Sequence, residues 1–167
     1  MLLKIERFFD KFATVVGYCC GLLMVAMLLN VFYDAVMRYL FNTNSIALQE
    51  MEWHIFSVVF LFGISYCLQE DGHVRVDVIY DRLGQRARAI INIVGTLLFI
   101  LPFCWLIIDG SFDFVKEAYD LHEISGDPGG LTHRYLIKSA IPVSFIFLTF
   151  SACGFLVRNI NQLRKGD

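Results

Sequence analysis

Four stretches of this chain contain no Asp, Glu, Lys or Arg, and they constrain its fold more than any other feature. They are residues 12–33, 53–69, 89–108 and 139–157. A helix of about 17–25 mostly apolar residues crosses the hydrocarbon core of a bilayer. Because lipid offers the backbone no hydrogen-bond partner, only helices or closed barrels span it, and the lack of two-residue alternation favours helices. The sequence therefore predicts an all-α integral membrane protein with four transmembrane helices.

The composition agrees with a membrane location and excludes other classes. Apolar residues make up 57% of the 167 residues and charged residues 18%, against about 45–50% and about 25% in soluble domains. Such a chain is too apolar to stay disordered. A formal net charge of −2 argues against nucleic-acid binding, which needs a basic surface. The length suits a single membrane domain over residues 1–167. The first stretch is longer than a signal-peptide core, so we expect it to be retained.

The distribution of basic residues predicts the orientation. Ten of the 14 Lys and Arg residues lie at the two ends of the chain or in the connection 70–88. The positive-inside rule then places both termini and this connection in the cytoplasm. Short interfacial helices are predicted to flank the second and third spans. Asp77 is the expected N-cap of the short helix before the third span. In this connection Arg82, Arg86 and Arg88 are expected to meet lipid headgroups.

Polar residues recur every four positions at the outer end of the first span. They are Asn30, Asp34 and Arg38, which therefore share one helix face. One interpretation is a solvated helix end, with Asp34 paired to Arg38. The other is an ion pair between Arg38 and Glu50 that orients the second helix. An exposed pair contributes only about 0–1 kcal/mol, so its role would be orientation more than stability.

The other polar residues near the ends of the spans each have one preferred interpretation. Glu50 and His54 share a helix face, but no third ligand lies nearby in sequence, so helix capping is preferred and no metal site is predicted. The third helix is expected to project beyond the bilayer and to be broken by the turn at 125–130. Arg134 and Lys138 lead into the fourth span, where their long side chains can extend toward the headgroups.

Small residues of the first span predict close helix packing, and the spans lack the groups that chemistry would need. The packing strip consists of Ala13, Gly17 and Gly21. There are no paired histidines at membrane depth for haem, no cysteine pairs in loops and no ionisable residue deep in a span. The chain is therefore predicted to bind no cofactor, and neither to catalyse nor to translocate a solute alone.

Three segments together resemble the DctQ-like small membrane subunit of tripartite ATP-independent periplasmic (TRAP) transporters. The first is residues 37–42 followed by Gln49 and Glu50. The second is residues 62–68 leading to 72–77. The third is residues 128–131 with the basic and apolar positions that follow, namely Arg134, Lys138, Ile141 and Pro142. Their order and spacing cover most of the chain.

The resemblance implies a scaffold subunit in a bacterial inner-membrane complex. Its partners would be a large elevator-type membrane subunit, which carries an organic acid with sodium, and a periplasmic substrate-binding protein. Sodium would bind to the large subunit and not to this chain. Of the positions that match the family, Arg38, Glu50, His73 and Asp77 are expected to have structural or interface roles. We expect the same of Asp34, Arg134 and Lys138.

Two other functions remain open from the sequence. The chain could anchor a respiratory or redox enzyme, in which case the purified complex would show a haem or quinone signal. It could also be a free-standing four-helix carrier, which would transport solute in liposomes without a partner.

Overall fold

The computed structural model describes residues 2–70, 80 and 83–165, and they form four long helical rods. In chain order the elements are α1 (Leu2–Phe41), α2 (Ile46–Gln69), α3 (Gln85–Gly95), a π-helical turn (Thr96–Ile100), α4 (Leu101–Asp120) and α5 (Tyr135–Lys165). The described residues contain no strand. All four rods are long and apolar enough to cross a membrane, so the predicted all-α architecture with four spanning helices is confirmed.

The connection between α1 and α2 is a tight turn. Asn42 adopts a left-handed conformation with φ 51°, which ends α1 because a continuing helix needs negative φ. Ser45 then caps α2, accepting a hydrogen bond from the Leu48 N–H at 3.4 Å. Residues 46–52 are the first turns of α2 itself, so the described residues show no separate interfacial helix before the second span. The one predicted before the third span, with Asp77 as its cap, falls mainly outside the described residues.

The third rod is continuous but irregular. The π-helical turn Thr96–Ile100 joins α3 to α4, and the Leu101 N–H bonds the Thr96 carbonyl five residues back. Pro102 follows directly and has no N–H to donate. A proline also crowds the carbonyl four residues earlier, and a π turn is a common way to accommodate such a defect. After the π-helical turn, α4 continues to Asp120. The third rod therefore extends well past residue 108, where the predicted span ends.

Helix α5 is the centre of the bundle, and the other rods pack around it. In its most apolar stretch 44% of the residues are buried, against 11–17% in the other three spans. Its Leu148, Ala152 and Phe155 form a core with Leu68 of α2 and Cys104 of α4. Most large apolar side chains instead point outward, as expected where lipid surrounds the helices and does not drive them together.

Small residues allow two close helix approaches. Ala13 is fully buried, and a Cβ on Gly17 would lie 2.7 Å from the Tyr66 ring. At Gly21 the neighbouring space is open in this chain, so the predicted strip is closely packed only in its first half. On α5, a Cβ on Gly154 would lie 2.6 Å from the Phe9 Cβ. The α1–α5 contact therefore depends on a glycine that the sequence prediction did not include.

Gly154→Ala is expected to destabilise the bundle by about 1–3 kcal/mol, the usual cost of overpacking. The new methyl group meets a Cβ held close to the α1 backbone, so the helices themselves must separate. Gly63→Ala is the matched control, because Gly63 is helical with open space around it, and there alanine gains up to about 1 kcal/mol of helix propensity. Thermal unfolding of the full chain in detergent, followed by circular dichroism, would show opposite shifts. Equal shifts would contradict this packing.

Candidate subunit-interface site

One buried carboxylate fastens the loop between α4 and α5. Glu50, in the second turn of α2, is only 8% exposed. Its carboxylate accepts a hydrogen bond from the Ser125 hydroxyl and another from the Leu131 N–H, the latter at 2.6 Å. We call Glu50, Ser125, Gly130 and Leu131 the loop clasp. It ties α2 to a segment about 75–80 residues later in the chain, so it fixes the relative positions of α2, α4 and α5.

The loop presents these donors because its own backbone is folded tightly. The Ser125 N–H bonds the Leu131 carbonyl at 3.0 Å, which closes the turn that follows α4. Gly129 adopts φ 85° within that turn, a conformation that glycine reaches without steric cost. Gly130 is needed for space, since a Cβ there would lie 2.5 Å from the Ser125 Cβ and 2.9 Å from Glu50 Oε2.

The two basic residues at the start of α5 are held by the protein. Glu123 pairs with the Lys138 ammonium and lies 3.7 Å from Arg134 Nε. The Arg134 guanidinium sits 5.8 Å from the Trp53 ring centroid, and Lys138 Nζ is 4.1 Å from that of Phe114. These distances suit cation–π attraction. Both side chains are therefore packed against aromatic rings at the loop-clasp end of the bundle.

The polar stripe on α1 faces α2. Asn30 donates a hydrogen bond to the Leu48 carbonyl at 2.9 Å. Asp34 is 2% exposed and pairs with Arg38 one turn later. The solvated helix end is thus wrong for Asp34, although its pairing with Arg38 is confirmed. The Arg38–Glu50 ion pair is also wrong, because the Glu50 carboxylate is used by the loop clasp.

The pair Glu50 and His54 does not form a shared site. His54 Nδ1 lies 2.6 Å from the Glu50 backbone carbonyl oxygen, whereas the carboxylate points to the loop. Across residues 2–70, 80 and 83–165, no three His, Cys, Asp or Glu side chains are grouped so that they could hold a metal ion. The arrangement at Glu50 is structural: it positions backbone and hydroxyl groups.

A second polar cluster ties the rods together at the end where α1 begins. Gln69 donates to Asp10 at 2.5 Å, and the Gln69 carbonyl accepts from Arg158 at 2.6 Å. Asn92 donates to Asn159 at 2.8 Å. We call these five residues the amide network. It joins α1 to α2, α2 to α5 and α3 to α5, so each rod is bonded to another at this end.

Most members of these clusters were missed by reasoning from sequence. The predictions from sequence rested on charged residues and did not include the amides Gln69, Asn92 and Asn159. Amides on otherwise apolar helices are costly in lipid unless paired across helices, and that signal would have found them. The sequence marked the turn at 125–130 and the segment 128–131, but nothing in it indicates that Ser125 and the Leu131 N–H bond Glu50, because a loop serine and a backbone N–H are ordinary.

Of the remaining predicted residues, Arg86 and Arg88 lie on α3. His73, Asp77 and Arg82 are outside the described residues. Arg86 is exposed on α3. Arg88 donates to the Leu83 carbonyl at 2.9 Å, and its guanidinium lies 5.1 Å from the Tyr80 ring centroid. Arg88 is therefore packed on the protein, and contact of Arg82, Arg86 and Arg88 with lipid headgroups stays a prediction.

The chain was compared with known proteins. The family described as "Tripartite ATP-independent periplasmic transporters, DctQ component" matches residues 27–162. Two Haemophilus influenzae proteins that bear the name TRAP transporter small permease protein are 28% and 27% identical, over 89% and 87% of this chain and 91% and 86% of their own lengths. The C4-dicarboxylate TRAP transporter small permease protein DctQ of Vibrio cholerae is 27% identical over 76% of this chain and 63% of its own length. The chain therefore belongs to the DctQ family of TRAP transporter components, as a multi-pass small permease protein of the bacterial inner membrane.

Proposed function

We propose that this chain is the non-translocating scaffold of a TRAP transporter. It would hold and orient a large elevator-type membrane subunit, which takes up an organic acid with sodium, while a periplasmic binding protein supplies the substrate. Both termini of the scaffold would be cytoplasmic. Family membership supports the complex, and a family of transporter components favours transport over a redox anchor.

The observation that carries the scaffold role is where the polar groups lie. The loop clasp and the amide network occupy opposite ends of the bundle, and the four apolar stretches between them contain no Asp, Glu, Lys or Arg. A secondary transporter places ionisable groups or broken helices near the bilayer midplane to bind substrate and ions. Bonds at both ends, with an apolar middle, instead suit a rigid body that stays in place.

The outer faces of the bundle support docking to a larger membrane protein. Helix α1 exposes Tyr18, Leu22 and Phe32, each about 70–80% accessible, and α4 exposes Trp105 to a similar degree. Such faces contact lipid or a membrane partner. Because α5 already supplies the packing that holds this chain together, these faces remain available to a second subunit.

A vesicle experiment tests the scaffold role directly. The isolated chain, reconstituted alone, is expected to drive no sodium-dependent uptake of an organic acid. The same chain reconstituted with its large subunit and binding protein is expected to do so. Solute flux through the isolated chain would overturn the proposal and favour the free-standing carrier.

Arg38→Ala is expected to lower the yield of the assembled complex about tenfold, since it leaves the buried Asp34 carboxylate without its half-exposed cationic partner. Asp34 would lose the one cation that pairs with it among the described residues, while remaining buried. The ratio of uptake rates for two competing substrates should stay unchanged, because the scaffold does not contact substrate. The double variant Asp34→Asn/Arg38→Ala is the control and should restore much of the yield. Normal yield in Arg38→Ala alone would contradict this role.

A further inference from the structure

A groove opens between α2, α4 and α5 at the loop-clasp end of the bundle. Its volume is about 390 Å³, within the range of small-molecule sites. Apolar side chains form most of its wall, chiefly Phe56, Phe60, Phe114, Ile137 and Ile141, whereas Arg134, Lys138 and Trp53 stand at one end. We propose that this groove binds one phospholipid of the surrounding leaflet, with its phosphate at Lys138 and Arg134 and an acyl chain along the apolar wall.

The cationic end keeps donors for an anion. Lys138 bonds Glu123, yet an ammonium group has three N–H donors. Arg134 Nε has no hydrogen-bond partner in the described part of the chain, since Glu123 at 3.7 Å is too distant. The nearby carboxylate of Glu50 is engaged by the loop clasp. Two cations therefore share one carboxylate at the mouth of the groove, and a phosphodiester would balance the second positive charge and accept from the remaining donors of Lys138.

The depth of the groove fits a lipid that is seated in its own leaflet. Trp53 lies at the mouth beside Arg134, and tryptophan is enriched at the level of the headgroups. The aromatic wall continues from there into the span. An apolar helix of a partner subunit would fill the wall but leave the donors of Lys138 and Arg134 unpaired, which is costly away from water. A phospholipid has a phosphate for the cationic end of the groove and acyl chains for its apolar wall, so it is the occupant we favour.

Fluorescence quenching tests the proposal, because the chain has only two tryptophans. Trp53 lines the groove, whereas Trp105 is 72% exposed on α4. The full-length variant Trp105→Phe, in detergent micelles, would be titrated with a phospholipid brominated on its acyl chains. The same titration with a diacylglycerol carrying identical chains removes only the headgroup. We expect saturable quenching by the phospholipid at about tenfold lower concentration than by the diacylglycerol, the effect of one charge-assisted contact.

Two variants identify the phosphate contact. Lys138→Gln should raise the midpoint for the phospholipid about tenfold and leave that for the diacylglycerol unchanged. Lys116→Gln is the matched control, because Lys116 lies on α4 but not in the groove, and it should change neither midpoint. If the phospholipid and the diacylglycerol quench Trp53 of the Trp105→Phe variant with equal midpoints, the proposal is overturned. This comparison does not depend on whether Lys138→Gln folds. The proposal would also be overturned if the phospholipid quenched Trp53→Phe, where only Trp105 fluoresces, as strongly as it quenches Trp105→Phe.

A crosslinking experiment in the assembled complex distinguishes the other occupant. A photoreactive phenylalanine analogue at Phe60, inside the groove, is expected to yield a product that contains phospholipid. The same analogue at Phe99, which is 71% exposed on the third rod, is the control for general lipid contact. A crosslink from position 60 to another polypeptide would show that a partner helix fills the groove, and would overturn the proposal. The outcome is independent of whether the chain acts as a scaffold.

Discussion

Glu50→Ala is expected to release the loop between α4 and α5 and to prevent normal assembly with a large subunit. The Ser125 hydroxyl and the Leu131 N–H lose their common acceptor, and the donors are left partly enclosed with no replacement. Cleavage by trypsin after Arg134 should accelerate about tenfold, since the open loop becomes more populated. The yield of the complex should fall with it, while the preference among substrates stays constant.

Two further variants separate the loop clasp from a general effect of charge. Glu52→Ala removes the same charge two residues away, where no hydrogen bond to the loop occurs among the described residues, so cleavage and yield should remain normal. Glu50→Gln keeps one acceptor oxygen and should fall between Glu50→Ala and the unmutated chain. If Glu50→Ala and Glu52→Ala behaved alike, the loop clasp would not be what fixes this loop.

Gly130→Ala is expected to destabilise the chain by about 1–3 kcal/mol through overpacking. The added methyl would lie 2.5 Å from the Ser125 Cβ and 2.9 Å from Glu50 Oε2, so it must push both partners of the loop clasp apart. Unfolding of the full chain in detergent should therefore begin several degrees lower. Trypsin cleavage after Arg134 should also accelerate, as it does in Glu50→Ala.

Gly126→Ala is the control from the same turn. Open space surrounds Gly126, and alanine restricts the unfolded chain there, which stabilises by about 0.4–1 kcal/mol where the backbone conformation is compatible. The two substitutions add the same atom to the same loop yet should shift the melting temperature in opposite directions. A lower melting temperature in both would indicate that the turn tolerates no side chain, and would remove the specific role of Gly130.

The four rods could be predicted from sequence because their signal is local and strong. A run of some twenty apolar residues has few structural solutions in lipid. The boundaries were harder. Ser45 and Asn42 define the turn after α1 through capping and a left-handed conformation, whereas the absence of charge alone suggested a second span that starts at residue 53. Polar residues in the first turns of α2 concealed its true beginning.

The site was predictable only in part, because its contacts are distant in sequence. Proximity favoured Glu50 as the partner of Arg38, since only a short turn separates them. The structure instead joins Glu50 to residues far along the chain, and a single sequence does not encode which loop returns to which helix. The pairing of Asp34 with Arg38 was predictable, because four-residue spacing places both on one helix face.

The central position of α5 has a consequence for biogenesis. Of the four rods it is the last to leave the ribosome, yet it is the one against which the others are packed. The first three helices must therefore enter the bilayer before α5, the helix against which they pack, has been synthesised. The bonds made by Arg158 and Asn159, and the core around Phe155, can form only after this last segment has been synthesised.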